Sequence, residues 1–161
     1  MARRKTQKWT KGSIFLVPLM DETNCLGQVV GREPDALNSV AIALFDIRGN
    51  WEEEEDVPAL GKEAVFSLVL VTRDLLDSGR WRVLGERASG ILGERRPYED
   101  LRAIGFVGAK IRGSGLVEEL ANAFYGLAPW DDWYLPDYLD GFLISSDRKP
   151  VHRLVFSGRH G

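Results

Sequence analysis

The sequence predicts a single α+β domain: a bent, mainly antiparallel sheet or partly open barrel of five to seven strands, with one or two C-terminal helices packed on it. Three observations lead to this prediction. Short apolar runs separated by turn residues fill the first half, an apolar repeat with helical spacing lies within residues 115–126, and 44% of the 161 residues are hydrophobic. A chain of this length and composition can bury a core without disulfides or metal.

The first three apolar runs indicate an antiparallel meander. Residues 14–17 form a run that a proline ends, residues 26–32 form a second run containing two glycines, and residues 39–45 form a third. Turn-forming residues separate the runs, first at 21–24 and then at a Pro-Asp pair. Strands joined by such short connections pair antiparallel, as in a small, strongly bent sheet.

The middle of the chain is expected to add strands to this sheet. Residues 64–71 are almost continuously apolar, which is typical of a central, fully buried strand. Residues 73–79 fit one short helical turn that Gly79 closes. Further strands are predicted over 81–84 and 104–111, joined by an exposed connection over 86–100.

An amphipathic helix is predicted over residues 115–126. Its apolar residues recur at helical spacing, at Leu116, Leu120, Phe124 and Leu127. Ser114 is placed to cap the helix, Glu118 and Glu119 to favour its first turn, and Gly126 to end it. A second short helix, with proline at its entry, is expected over 136–144, and a last edge strand over 151–156.

Charge is distributed unevenly along the chain. The formal net charge is −3, yet residues 1–12 carry five basic residues and no acid, so the remainder holds 16 basic against 24 acidic residues. We expect residues 1–8 to form a basic, flexible arm and residues 9–161 to form one domain. An acidic body repels phosphate backbones, which argues against nucleic-acid binding, whereas it suits a basic protein partner.

The sequence favours a cytoplasmic location. The apolar run over residues 14–20 is too short for a signal segment or a membrane span, and Pro18 interrupts it. Cys25 is the single cysteine, so no intrachain disulfide can form and a reducing compartment is the simpler expectation. We therefore expect no membrane contact, while the oligomeric state stays open.

Two stretches of the chain resemble one protein family. Residues 9–46 contain an aromatic-x-x-Gly strand entry, a Pro-Leu ending and a Gly-x-Val-Val strand. Residues 121–144 contain the stretch Ala-Phe-Tyr-Gly-Leu-Ala-Pro-Trp-Asp-Asp-Trp, followed by Pro-Asp-Tyr-Leu-Asp. On these motifs the chain resembles the immunity protein 26 family of bacterial polymorphic-toxin systems.

The resemblance implies a cytosolic protein that binds a cognate toxin and blocks it by forming a stoichiometric complex. The same grouping includes a phosphotriesterase, so hydrolysis of organophosphate triesters is the alternative function. No catalytic residue of that member maps onto this chain. The expected role is therefore binding rather than catalysis, with no cofactor.

Residues 130–140 are the first candidate contact surface, because they hold four acids, four large aromatics and no base. Aromatic side chains supply contact area, and neighbouring acids steer a basic partner. The residues expected to contact the toxin are Trp130, Asp131, Asp132, Trp133 and Tyr134. The alternative is that the two tryptophans pack on the helix over 115–126 and that the acids merely begin the next helix.

The acidic run that follows Trp51 is the second candidate surface. Glu52, Glu53, Glu54 and Glu55 are expected to form an acidic patch that mimics phosphate charge or enters a basic cleft. The alternative is a solvated loop whose charges repel one another. Two adjacent acidic surfaces would strengthen the first interpretation, but the sequence does not place them relative to each other.

No catalytic or metal-binding arrangement is recognisable in the sequence. The two histidines, His152 and His160, are eight residues apart, which is not a metal-ligand spacing, and there is no Cys-x-x-Cys pair. Cys25 falls in a predicted turn without an indicated histidine partner, so a free thiol is expected. We assign no catalytic residue and no metal, and we expect His152 on a strand surface.

Overall fold

The fold is built on a three-stranded antiparallel meander. In the computed structural model, which describes residues 6–33, 39–88, 111–130 and 138–154, strand β1 spans Ser13–Pro18, β2 spans Asn24–Glu33 and β3 spans Ser39–Gly49. Strand β2 pairs antiparallel with both β1 and β3. The predicted meander is confirmed. Each strand extends beyond its apolar run because backbone pairing continues into the flanking polar residues.

Three further strands complete a six-stranded sheet within the described residues. They are β4 (Val65–Val71), β5 (Val83–Glu86) and β6 (Ile111–Arg112). The strand order is β5-β1-β2-β3-β4-β6, and only the short β4–β6 pairing in this sheet is parallel. The mainly antiparallel sheet with helices confirms the predicted α+β class.

Register shifts interrupt the pairing of neighbouring strands. Between β2 and β3 they fall at Cys25/Gly27 and at Val29/Gly31, and between β3 and β4 one falls near Phe45. An extra residue on one strand of a pair bends that strand and increases its twist. The shifts therefore give the physical basis for the bent sheet that the sequence predicts.

Two helices lie in the described part of the chain. Helix α1 covers Asp74–Ser78, and Gly79, with φ 86°, closes it as predicted. Helix α2 covers Ser114–Phe124. The predicted cap is wrong: Gly113 is the N-cap, and Ser114 is the first helical residue, with its hydroxyl donating to Asp74 instead. Neither helix is long and apolar enough to span a membrane.

The glutamates of α2 also differ from their predicted role. The helix begins at Ser114, so Glu118 and Glu119 lie beyond its first turn. Glu118 instead joins α2 to the chain before β5, because its carboxylate accepts hydrogen bonds from Arg80 Nε at 2.8 Å and from Trp81 Nε1 at 3.0 Å. Trp81 itself is buried and precedes β5, which begins two residues later than expected.

Both faces of the sheet are covered. Alternate residues of each strand point to opposite faces, so Phe15 belongs to the core under α2, whereas Ile14 and Leu16 belong to a second core. The α2-side core includes Val117, Leu120, Ala121, Trp130, Leu139 and Phe142. The second core is closed by the segment between β3 and β4, which contributes Val57 and Leu60 and includes a 3₁₀ turn at Lys62–Ala64.

Strand β4 is less enclosed than predicted. Its central residues Leu68 and Val69 are only half-buried. The reason is its position next to the edge of the sheet, where β6 pairs only with Leu70 and Val71. Most of the strand predicted over 104–111 and most of the connection predicted over 86–100 lie outside the described residues.

The C-terminal segment folds as 3₁₀ turns where an α-helix was predicted. Tyr138–Phe142 is a 3₁₀ helix, and Ser146–Arg148 is another. A glycine within the first turn disfavours a longer α-helix. The predicted edge strand is reduced, within the described residues, to one parallel bridge between Leu154 and Pro129, and His152 lies in a turn.

The N-terminal segment is anchored within the predicted arm. The amide nitrogen of the Gln7 side chain donates to the carbonyl oxygens of Leu76 and Trp81, and its amide oxygen accepts from Val83 N. Gln7 thereby caps the start of β5 and ties it to α1. Residues 1–5 of the expected flexible arm lie outside the described part of the chain.

A close contact between β1 and β2 depends on a glycine. Gly27 pairs with Phe15, and the Phe15 ring lies over it so closely that a Cβ at Gly27 would be 2.5 Å from ring carbons. The other neighbour of that ring is Trp81, stacked at 5.2 Å between ring centroids. The ring is therefore held on two sides and has little room to move.

We expect Gly27→Ala to lower the free energy of unfolding by about 1–3 kcal/mol, because the added methyl group overpacks a rigid contact. Urea unfolding followed by tryptophan fluorescence measures the change. Gly115→Ala is the control, since a Cβ there meets nothing within 4 Å and alanine favours the helix. Equal stability of the two variants would contradict the packing role of Gly27.

A polar network joins α1 to α2. Asp74 Oδ1 accepts from Thr72 Oγ1 and from Ser114 Oγ, each at 2.7 Å, and Ser114 N donates to Thr72 Oγ1 at 3.0 Å. The hydrogen bond from Thr72, followed by that from Ser114, lowers the pKa of the Asp74 carboxyl below its usual value of 3.8. The charged carboxylate is thus favoured in the folded state.

The lowered pKa sets the sign of a pH dependence. Asp74 stabilises the fold above its unfolded-state pKa, and this contribution is lost as pH falls through the lower folded-state pKa. We expect Asp74→Asn to be less stable than the wild type at about pH 7, with the difference shrinking towards about pH 3. Urea unfolding at both pH values tests this, with the exposed Asp56→Asn as control. A difference independent of pH would contradict the assignment.

Candidate functional site

The acidic segment, residues 52–56, lies over the second core. Trp51 on one side is half-buried and packs against that core, and Val57 on the other side is buried in it. Between them the chain forms a 3₁₀ turn at Glu54–Asp56. Apolar residues at both ends therefore hold the acidic segment against the sheet, with Glu54 half-buried and the other four acids exposed.

Arg87, directly after β5, clamps this segment. Its Nε donates to Glu54 Oε2 at 2.7 Å, and its terminal nitrogens donate to the carbonyl oxygens of Glu54, Val57 and Pro58 at 3.0, 3.1 and 2.8 Å. The planar guanidinium group has several donors in fixed directions, so it can satisfy several acceptors of one turn together. The segment is consequently ordered rather than a loop held open by repulsion.

Only part of the acidic charge is neutralised. Glu52 pairs with Arg82 at 3.2 Å, and Glu54 pairs with Arg87. Glu53, Glu55 and Asp56 are exposed and form no ion pair within the described ranges. These three form what we call the acidic ridge: uncompensated negative charges on a backbone that Arg87 fixes.

Trp130 is a core residue in this structure. Its side chain is completely buried in the α2-side core, and its Nε1 donates to Asp140 Oδ1 at 2.7 Å. The other Asp140 oxygen pairs with Lys149 at 3.0 Å. The burial corrects the expected role of Trp130, because a side chain without exposed surface supports a contact surface and does not touch a partner.

The remaining residues of the first candidate surface, Asp131, Asp132, Trp133 and Tyr134, lie outside the described residues. Two residues that flank this stretch, Trp130 and Asp140, are joined by a hydrogen bond. Trp130 belongs to the α2-side core, whereas Val57 belongs to the opposite one. The structure therefore does not bring Trp130 and the acidic segment together.

Cys25 lies in β2, not in the predicted turn. It is completely buried, and its thiol donates to Phe45 O at 3.3 Å. Burial raises the pKa of the Cys25 thiol to about 12, so the reactive thiolate is disfavoured. Burial likewise raises the pKa of Tyr125, whose hydroxyl donates to the same carbonyl at 3.4 Å. Neither group is activated as a nucleophile.

Histidine and carboxylate positions give no metal site in the part of the chain that the structure describes. No group of three His, Cys, Asp or Glu residues there is arranged to hold a metal ion. His152 is exposed and lines a shallow groove of about 500 Å³ with Asp46 and Tyr125. The described residues that line it include two acids and two bases besides His152, so their charges favour neither a cation nor an anion.

Comparison with known proteins gives one match. The protein-family model for immunity protein 26 matches residues 10–99, which is more than half of the chain. The chain belongs to the immunity protein 26 family. The match includes the meander, the acidic segment and Arg87, whereas residues 121–144 lie beyond it. Neither a curated protein nor a solved structure matches this family member.

Sequence reasoning missed the residues that organise the site of this family member. Arg82 and Arg87 lie about thirty positions from the acids they contact. Arg82 falls in the strand predicted over 81–84 and Arg87 in the connection predicted over 86–100, and neither position indicates an acidic partner. Asp140 was seen only as one acid among four. A tryptophan and an acid ten residues apart do not form a recognisable motif. The hydrogen bond between Trp130 and Asp140 is therefore visible only in the folded structure.

The contacts of Arg87 with the acidic segment lead to a prediction about the stability of the protein. We expect Arg87→Gln to lower the free energy of unfolding by about 1–2 kcal/mol and to speed amide hydrogen exchange at Val57, since three carbonyl groups lose a charged donor. Arg82→Gln is the matched control: its guanidinium is half-exposed and makes two contacts at 3.2 Å, so a change within about 0.5 kcal/mol is expected. Equal effects would contradict the clamp.

Proposed function

We propose that this protein is an immunity protein that neutralises a cognate toxin by forming a stoichiometric complex with it. Membership of the immunity protein 26 family carries the proposal. Binding requires no activated nucleophile and no metal, so the function rests on surface shape and charge alone. The surface in question must be accessible, ordered and complementary to the toxin.

The acidic segment supplies the described part of the proposed contact surface. Glu52, Glu53 and Glu55 are exposed, and Glu54 is held by Arg87 beneath them. Because the backbone is already fixed, these carboxylates need little ordering when a partner arrives, which lowers the entropic cost of association. Asp56 extends the same charged surface by one residue.

Asp131, Asp132, Trp133 and Tyr134 form the second part of the proposal. Their support comes from sequence: two acids beside two aromatics, in a stretch whose neighbours Trp130 and Asp140 are bonded to each other. In this proposal Trp130 positions the stretch from the core. Aromatic anchors provide affinity, while acids raise the association rate.

The proposed partner is a basic protein, and the proposed site of action is the cytoplasm. Acidic residues outnumber basic ones by eight outside residues 1–12, which attracts basic protein surfaces and repels nucleic acid. The buried Cys25 is compatible with a reducing environment, where no disulfide is needed. A toxin whose active cleft binds phosphate groups would offer such a basic surface.

Affinity capture tests the proposal directly. The tagged full chain is recovered from its native cells, and the proteins that co-purify with it are identified by mass spectrometry and quantified. We expect one protein with a toxin domain in a one-to-one ratio, and we expect adding purified immunity protein to abolish its toxicity. A captured toxin that stays fully active in the complex would overturn neutralisation.

Charge reversal then tests the contact surface. We expect Glu55→Lys to slow association with the captured toxin about threefold to tenfold at low salt and to weaken its salt dependence, because the mutation removes steering charge. Stopped-flow fluorescence gives the rates. Glu119→Lys makes the same charge change on an exposed residue of α2 that forms no ion pair with the described residues. Identical rates for both variants would exclude the acidic ridge from the interface, and Asp131→Lys tests the second stretch in the same way.

A further inference from the structure

We infer that a groove between the N-terminal segment and α1 is a binding site for an oxyanion, either a phosphate or a carboxylate group. The groove has a volume of about 350 Å³ and is lined by Thr6, Gln7, Lys8, Trp9, Arg73 and Asp77. That volume is in the range of small-molecule sites. The inference goes beyond toxin binding, because it concerns a different ligand at a different place in the fold.

Arg73 is the central residue of this groove. Its Nε donates to Asp77 Oδ2 at 2.9 Å, and its guanidinium carbon lies 5.3 Å from the centre of the Trp9 ring. Both contacts restrict the rotamer of Arg73. Its two terminal nitrogens form no hydrogen bond to residues that the structure describes, so they are available to an incoming anion in a fixed geometry.

The one acid among the described lining residues of the groove, Asp77, is already engaged. Asp77 Oδ1 accepts from Trp9 Nε1 at 2.8 Å, while Asp77 Oδ2 accepts from Arg73. The carboxylate thus serves to hold Arg73 and Trp9 together. Its charge offsets that of Arg73, so the described lining residues carry the net positive charge of Lys8.

Lys8 and Thr6 provide the remaining donors. Lys8 is exposed and forms no ion pair in the described part of the chain, and Thr6 contributes a hydroxyl group. Gln7 also lines the groove, but its amide is occupied by α1 and β5. None of the described residues 6–12 is acidic, so this segment brings no negative charge to the groove. An ammonium group and a guanidinium group at one groove favour an oxyanion over a cation.

Nuclear magnetic resonance on the full chain tests the site without any toxin. Inorganic phosphate and acetate are titrated separately at constant ionic strength, and the Trp9 Nε1–H and Arg73 Nε–H signals are followed. We expect saturable shifts of both signals with at least one of the two anions. The anion that binds more tightly identifies the class of group that the site accepts.

Matched variants separate a specific site from general charge. We expect Lys8→Gln to weaken binding about threefold or more, whereas Lys11→Gln, which removes the same charge outside the groove lining, has little effect. Arg73→Lys keeps the charge but loses the guanidinium geometry and is expected to weaken binding as well. Shifts that do not saturate with either anion, or equal effects of the Lys8 and Lys11 variants, would overturn the inference while leaving the proposed immunity function untouched.

Discussion

The packing of Phe15 between Gly27 and Trp81 is the contact on which much of the described structure depends. The Phe15 ring covers Gly27 of β2 and stacks on Trp81, which in turn donates to Glu118 of α2. One aromatic side chain of β1 thereby joins the meander, the start of β5 and the main helix. Because protein interiors are close-packed, a change at this point is transmitted to each of these elements.

The position of β5 determines how the acidic segment, residues 52–56, is held on the surface. Strand β5 pairs with β1, and Arg82 and Arg87 flank it at either end. From there they reach Glu52 and Glu54, whereas Glu53, Glu55 and Asp56 form no ion pair with the residues that the structure describes. A run of five acids would otherwise repel itself into an extended loop. The two arginines neutralise part of that charge and hold the acids in one arrangement. A fixed arrangement of charges is a requirement for selective binding of a protein partner.

Local patterns of the sequence were sufficient for much of the fold. The meander, α1 and α2 follow from apolar runs, glycine positions and helical spacing, all of which act over a few residues. The predictions failed where distant side chains decide the outcome. Ser114 has the right chemistry for a cap, but Asp74, forty residues away, takes its hydroxyl. A tryptophan such as Trp130 is typical both of a contact surface and of a core, so its residue type does not decide between the two. Its hydrogen bond to Asp140 favours the buried position.

The separation of charge within the fold has a physical consequence for function. The acidic segment packs on the second core, whereas Trp9, beside the basic groove, packs on the α2-side core. The acidic segment and the groove therefore rest on opposite faces of the same sheet. If both proposals hold, an anion in the groove would influence toxin binding through the packed elements that connect the two regions, chiefly α1, Gln7 and β5.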